Sequence, residues 1–341
     1  PTQKAISAFY SGAKLKDDGL NLPKISPAWA QETKADTILK PLDGKKPDTL
    51  PQMPLTAKNA PLYLENLLLW GQKNLGNVPS AADPYVSCYE MGRLSAALAC
   101  AGFDADMDAK DLPLNLLAGD LSGVQDFIYT ITAKGAVSAL RGRSLYLQLL
   151  TEAIARYTLD ELDLPISNLL YMGGGQFHIL AGEVDKDKLK EIRLYISKTL
   201  LKYHQGALSL TLAKADLKAS ELSGETLTKK RKELNENLQN LKKRRFSELG
   251  DDLAAFFKPQ GHGGNEESEC SVCGMEHEGT EIVNEIRKCP PCLSYENLGK
   301  DLRKAKYLGI NLFPPKTKGN SAGRWHEVLS EFGMEANFYS E

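Results

Sequence analysis

Asn168-Leu169-Leu170-Tyr171-Met172-Gly173-Gly174-Gly175-Gln176-Phe177-His178-Ile179-Leu180 is the stretch that decides the fold. Two short apolar runs flank three glycines, which predicts a hairpin with strands at 168–172 and 176–180 and a turn needing positive φ. Outward from it, Tyr146, Leu149, Leu150, Ala153, Ile154 and Tyr157 recur at helical spacing on one side. Leu189, Ile192, Ile196, Leu200 and Tyr203 do so on the other. Further out, 114–118 is an apolar run, predicted to be a strand that leads into Gly119-Asp120-Leu121-Ser122-Gly123 and a helix through Phe127, Ile128 and Ile131. Leu208, Leu210 and Leu212 alternate as a last strand. The order is strand, helix, strand, strand, helix, strand.

That order is a ferredoxin-like (βαββαβ) unit, the skeleton of polymerase and nucleotidyl-cyclase palms. The fold class expected is therefore α+β, with the palm over 112–258. Before it, a helix through Leu62–Trp70 and another over 86–100 suggest a helical N-terminal domain, 1–111, whose first 60 residues are broken by prolines. Within it a long charged helix over 225–249 follows the last strand; after it come a small four-cysteine domain over 259–310, with a Gly261–Gly264 linker and a helical segment at 298–306, and a tail, 311–341.

The 341 residues are 42% hydrophobic and 25% charged with a net charge of −2, which excludes wholesale disorder and makes any nucleic-acid contact local. No run approaches the 18 apolar residues of a membrane span, so no membrane partner is expected. Pro1 is not an initiator Met and no export pattern follows, so the numbering is expected to start inside a longer chain. Six cysteines are too few for a disulfide scaffold, which points to the cytoplasm.

Four of those cysteines form Cys270-x2-Cys273-x15-Cys289-x2-Cys292, two knuckles with the spacing of a tetrahedral zinc site. All four positions are protein ligands, so the expected role is structural, with an iron–sulfur cluster as the alternative. His262 and His277 are read as solvated loop residues, and His178 as a half-buried strand histidine.

Palm chemistry needs carboxylates at the end of the first strand and in the hairpin to hold two divalent ions. Asp120 suits the first position, or else satisfies backbone amides of the loop after it. The hairpin instead offers Gly175-Gln176, which cannot supply anionic oxygens, so this palm should not run metal-dependent transfer alone. Three glycines still allow close approach of a nucleotide, and Ser122 could contact phosphate. Gly250-Asp251-Asp252 lacks a hairpin around it and is read as a helix boundary. Lys229–Lys232 and Lys242-Lys243-Arg244-Arg245 put eight cations in 17 residues on the charged helix, able to attract phosphates or simply to be solvated. Arg141 and Arg143, flanking Gly142 between helices, are the other candidates for phosphate contact.

Residues 119–129, Leu140-Arg141-Gly142-Arg143-Ser144-Leu145-Tyr146-Leu147 and Tyr171–Phe177, with the cysteine quartet and Asn297–Leu302, together resemble the large subunit of type III CRISPR effectors of the Csm type. The resemblance implies an HD nuclease domain, first palm, zinc domain and second palm with a GGDD hairpin. The implied activity is cyclic oligoadenylate synthesis from ATP with magnesium or manganese, once target RNA pairs with the guide RNA. On that reading Asp120, Ser122, Gly173, Gly174, Gly175 and Gln176 form the first palm's side of the ATP pocket. The implied partners are guide and target RNA and the other type III subunits, with single-stranded DNA a further candidate. Ser87-Cys88-Tyr89-Glu90-Met91 stands where an HD motif is expected, so the helical start resembles an HD domain without metal ligands. The tail leads towards a second palm that the sequence does not contain, which makes the chain the front half of a longer protein or a naturally split subunit. The alternative is a non-catalytic scaffold of the same ribonucleoprotein.

Overall fold

A computed structural model describes residues 60–80, 86–102, 111–256, 267–315 and 321–340. The expectations for residues 1–59, for Gly261–Gly264 and for His262 lie outside the described residues.

The centre is a four-stranded antiparallel sheet, β1 (Pro113–Ser122), β2 (Leu169–Gly173), β3 (Gln176–Ala181) and β4 (Ser209–Lys218), in the order β2-β3-β1-β4. Two helices of the preceding segment come first, α1 (Ala60–Leu75) and α2 (Cys88–Ala101). The short α3 (Val124–Tyr129) and the 26-residue α4 (Ala136–Glu161) connect β1 to β2, and α5 (Lys186–His204) connects β3 to β4. The sheet carries the βαββαβ order that the sequence implies. Each strand is apolar on both faces. Leu117 and Leu121, with Phe177 and Ile179, join α4 and α5 in the larger core. Leu114, Leu116 and Ala118, with Leu180, pack instead against Ala97 of α2 and Leu234 and Leu238 of α6 (Gly224–Lys242).

Four details depart from the sequence reading. β1 does not end at 118 but continues to Ser122, paired with β4 to its end and with β3 as far as Asp120, so Asp120 lies inside the strand opposite Gln176 and Thr211. The glycine that permits this is Gly119, whose missing side chain leaves room for the Phe177 ring, 2.2 Å from where a Cβ would stand. Next, Gly142 is no break between helices: α4 runs straight through it. The charged helix stops at Lys242, because the chain turns back at Phe246 (φ 64°) to bury Leu249. Lys243, Arg244 and Arg245 therefore lie beyond its end. Finally, the tail is built in. β7 (Tyr307–Leu312) pairs with β8 (Met334–Tyr339), and α9 (Trp325–Glu331) between them sends Val328 and Leu329 into the larger core. A boundary at 310 would cut β7.

Between these lie α7 (Asp252–Phe256), which starts just after Gly250-Asp251 as a helix boundary should, the hairpin β5 (Glu281–Val283) and β6 (Ile286–Lys288), and α8 (Pro290–Lys304). No helix among the described residues is long and apolar enough to cross a membrane.

Candidate functional site

The cysteine quartet assembles as its spacing requires. In the first knuckle Gly274 (φ 69°) closes the turn, donating to Cys270 O at 2.8 Å, while Cys270 N donates to Met275 O at 2.9 Å. The second knuckle is a helix start: Cys289 caps α8, Pro290 and Pro291 fill its first turn, and Cys292 lies on the same turn. The four Sγ atoms lie within 4.8 Å of one another, and Cys273 Sγ is 3.8 Å from Cys289 Sγ. A tetrahedron with metal–sulfur bonds of about 2.3 Å has edges of about 3.8 Å, so the donor set fits zinc. Hydrogen bonds from Cys270 and its neighbours drive the Cys273 thiol far down, and bonds with Cys270 and Cys273 drive Cys292 far up. Four crowded thiols cannot all ionise without a central cation. His277 is within hydrogen-bond reach of Cys273 rather than freely solvated, yet the set is complete without it.

Arg143 belongs to this centre and not to a phosphate-binding surface. It is 2% exposed, donates to Cys292 Sγ at 3.2 Å and to Phe127 O at 3.0 Å, and lies between the Phe127 and Tyr295 rings, 4.7 and 5.0 Å from their centroids. Its burial follows from a close helix crossing. A Cβ on Gly142 of α4 would lie 1.7 Å from Tyr295 O, and one on Gly299 of α8 would lie 1.9 Å from Ser138 O. Lys288 and Glu296, an ion pair buried on both sides, tie β6 to α8 in the same region. Arg141, one residue before the crossing, is exposed.

The second site is the hairpin face. Asp120 is 8% exposed, and its Oδ2 accepts from Gln176 Nε2 at 2.8 Å and from Lys242 Nζ at 2.7 Å. It bonds side chains, not the backbone amides of a following loop. Strand alternation puts Asp120, Gln176 and Thr211 on the face covered by α6, so the last residue of that helix reaches the carboxylate. Lys242 is thus committed to an ion pair with Asp120, in place of the phosphate contact or solvated cation expected of it. Gly173, Gly174 and Gly175 form the turn, with φ of 62° at Gly174 and 83° at Gly175, and a Cβ on Gly174 would meet nothing within 4 Å. Ser122 is half-buried at the end of β1. His178 is half-buried beside Tyr171, and burial, then the charge of Arg231, holds its imidazole below the ordinary value.

Sequence reasoning placed the cysteines, Asp120 and Gln176 but missed three partners. Lys242 as the counter-ion of Asp120, Arg143 as a donor to the metal centre, and the glycine crossing all depend on contacts between residues more than 100 positions apart.

Comparison with known proteins points to one family. Residues 113–259 match the family described as Csm1 subunit domain B. A Methanocaldococcus jannaschii protein, "CRISPR system single-strand-specific deoxyribonuclease Cas10/Csm1 (subtype III-A)", is 35% identical over 199 residues, 53% of this chain and 24% of that one. A Thermococcus onnurineus protein of the same description is 30% identical over 259 residues, 70% of this chain and 32% of that one. The chain thus spans a quarter to a third of the length of these relatives. Among solved structures, a Csm1–Csm4 subcomplex of the type III-A CRISPR-Csm interference complex shares the fold at a TM-score of 0.60, covering 82% of this chain and 34% of that one at 23% identity. A Csm1–Csm4 cassette in complex with cA4 is 29% identical with a TM-score of 0.51, covering 55% of this chain and 28% of that one.

Proposed function

Because the chain belongs to the Cas10/Csm1 large-subunit family of type III-A CRISPR complexes, we propose that its four-stranded unit is the first palm and forms one wall of an ATP site for cyclic oligoadenylate synthesis. A GGDD-bearing second palm supplies the carboxylates and the magnesium or manganese ions. The observation that carries this is the state of Asp120. Its charge is balanced by Lys242 at 2.7 Å, and Gln176 occupies the same oxygen, so a divalent ion would have to displace the lysine. The open turn at Gly174 leaves space for a nucleotide above a wall that holds no ion of its own.

The remaining assignments follow from this one. The cysteine quartet holds zinc as a structural ion and brings no open coordination position to the reaction. Partners are guide and target RNA and the other Csm subunits, a Csm4-type protein first among them, since solved relatives pair Csm1 with Csm4. Arg141, Lys243, Arg244 and Arg245 remain exposed for RNA. The site of action is the cytoplasm, where the thiols stay reduced. DNA cleavage is not assigned to this stretch: Ser87 caps α2 by accepting from Glu90 N, and the Cys88 thiol bonds Pro79 O.

The test uses the complete large subunit in its complex, with ATP, magnesium and matching target RNA. Asp120→Asn should leave the turnover number within about threefold, since no ion depends on it. Gly174→Asp, which a left-handed turn tolerates, should raise KM for ATP about tenfold through repulsion of the phosphates, with kcat kept. Loss of synthesis in Asp120→Asn would make Asp120 a metal ligand and defeat the reading. The same closed ion pair also favours a scaffold role; unchanged ATP binding in Gly174→Asp would select it.

A further inference from the structure

The edge of the sheet holds a second cleft that neither site uses. β4 is the outer strand, and its Ser209-Leu210-Thr211-Leu212 segment faces a hollow lined by Arg193 of α5 and by Arg244, Arg245 and Phe246 from the turn after α6. Glu248 is the acidic residue in the lining. Its carboxylate accepts from the Ser197 hydroxyl, which leaves three guanidinium groups against one bonded carboxylate. Arg193 is half-buried and spends Nε on Leu212 O at 2.6 Å, its one hydrogen-bond acceptor among the described residues. A guanidinium has five N–H donors, so four are left for something else.

Ser209 supplies the independent observation. It is 5% exposed, yet its Oγ has no hydrogen-bond partner among the described residues. A buried hydroxyl without a partner is costly, and natural proteins seldom retain one unless a ligand or water completes it. Ser209 is one of the residues that line the cleft together with the three arginines. The turn is also held in a conformation that a bulky residue rarely adopts, Phe246 at φ 64°, which keeps Arg244 and Arg245 beside β4 rather than on a continued helix.

We infer that this cleft binds a phosphate group, with Arg193, Arg244 and Arg245 donating to its oxygens and the Ser209 hydroxyl completing the set. Planar guanidinium forks match phosphate geometry in pairs, which ammonium groups do not. The phosphate can come from a nucleotide or from an RNA backbone, and the chemistry of recognition is the same. The inference does not rest on the ATP reading, because it uses none of the residues of the hairpin turn.

Binding is measured on the intact chain with three probes: inorganic phosphate, ATP without divalent metal, and a single-stranded RNA 12-mer unrelated to any guide. The Arg244→Gln/Arg245→Gln pair lies on the surface and should fold normally. It should weaken the binding probe at least tenfold and, for RNA, flatten the salt dependence by about 0.7 for each lost contact. Ser209→Ala should weaken the same probe a few-fold while leaving the melting temperature equal or higher, which a structural serine would not do. An effect on RNA alone identifies a backbone phosphate, and an effect on ATP and free phosphate identifies a nucleotide. Unchanged affinity for all three probes in both variants, with the fold intact, overturns the inference.

Discussion

Gly142→Ala puts two rules of protein stability in direct opposition. In an exposed helix interior, replacing glycine by alanine stabilises by about 1 kcal/mol through backbone entropy. At Gly142 the new methyl would lie 1.7 Å from Tyr295 O, against the 3.4 Å at which ordinary contact begins, so α4 and α8 must part by about 1.7 Å. Overpacking of this kind costs about 1–3 kcal/mol. Parting the helices also stretches the 3.2 Å bond from Arg143 to Cys292 and leaves a buried charge short of an acceptor, about 1.5–3 kcal/mol more. The net expectation is a loss of about 3 kcal/mol. The assay is equilibrium urea denaturation of the metal-loaded chain, with Gly92→Ala as control. Gly92 lies in α2, and a Cβ there meets nothing within 4 Å, so that variant should gain about 1 kcal/mol. A Gly142→Ala chain as stable as the wild type would refute the crossing.

Three further outcomes are expected. Elemental analysis should find one zinc per chain, and Cys289→Ser should cut that content at least tenfold and expose residues 267–304 to hydrogen exchange; protection retained without metal would contradict the assignment. His204, bonded to Tyr146 Oη at 2.7 Å, is pushed down to about 3 by burial, then by the charge of Arg143. The unfolded chain takes up that proton near pH 6.5 while the folded chain does not, so this stability is complete above pH 6.5 and is lost as the pH falls towards 3. At pH 4.5 the loss amounts to about 3 kcal/mol, and His204→Gln should remove that part of the pH dependence in denaturation curves. Lys242→Met should destabilise by about 1–2 kcal/mol by leaving Asp120 without its cation, and Asp120→Asn in the same chain should recover part of it; additive losses in the double-variant cycle would mean that the two do not interact.

The legible parts of this protein are those written in local spacing. The triglycine turn, the alternation around Phe177 and the two cysteine knuckles each lie within a short window, and the structure forms all of them. What stayed hidden depends on residues far apart in sequence. Gly142 looks like a helix break until Gly299, 157 residues later on α8, is known to cross it. Arg143 looks like a surface cation for the same reason. The end of α6 at Lys242 is set by burial of Leu249 and by the carboxylate waiting on β1, neither of which a run of charged residues reveals. The pairing of β7 with β8 was missed because α9 and a long connection separate the two strands.

The glycine contact between α4 and α8 also limits how this chain can be rearranged. A segment bearing cysteine knuckles looks like a portable cassette, ready to be exchanged between relatives. Here it can travel only with its dock. A chimera taking residues 267–304 from one homologue must take residues 136–146 from the same parent, or the two backbones will not close on each other and Arg143 will face a stranger's sulfur.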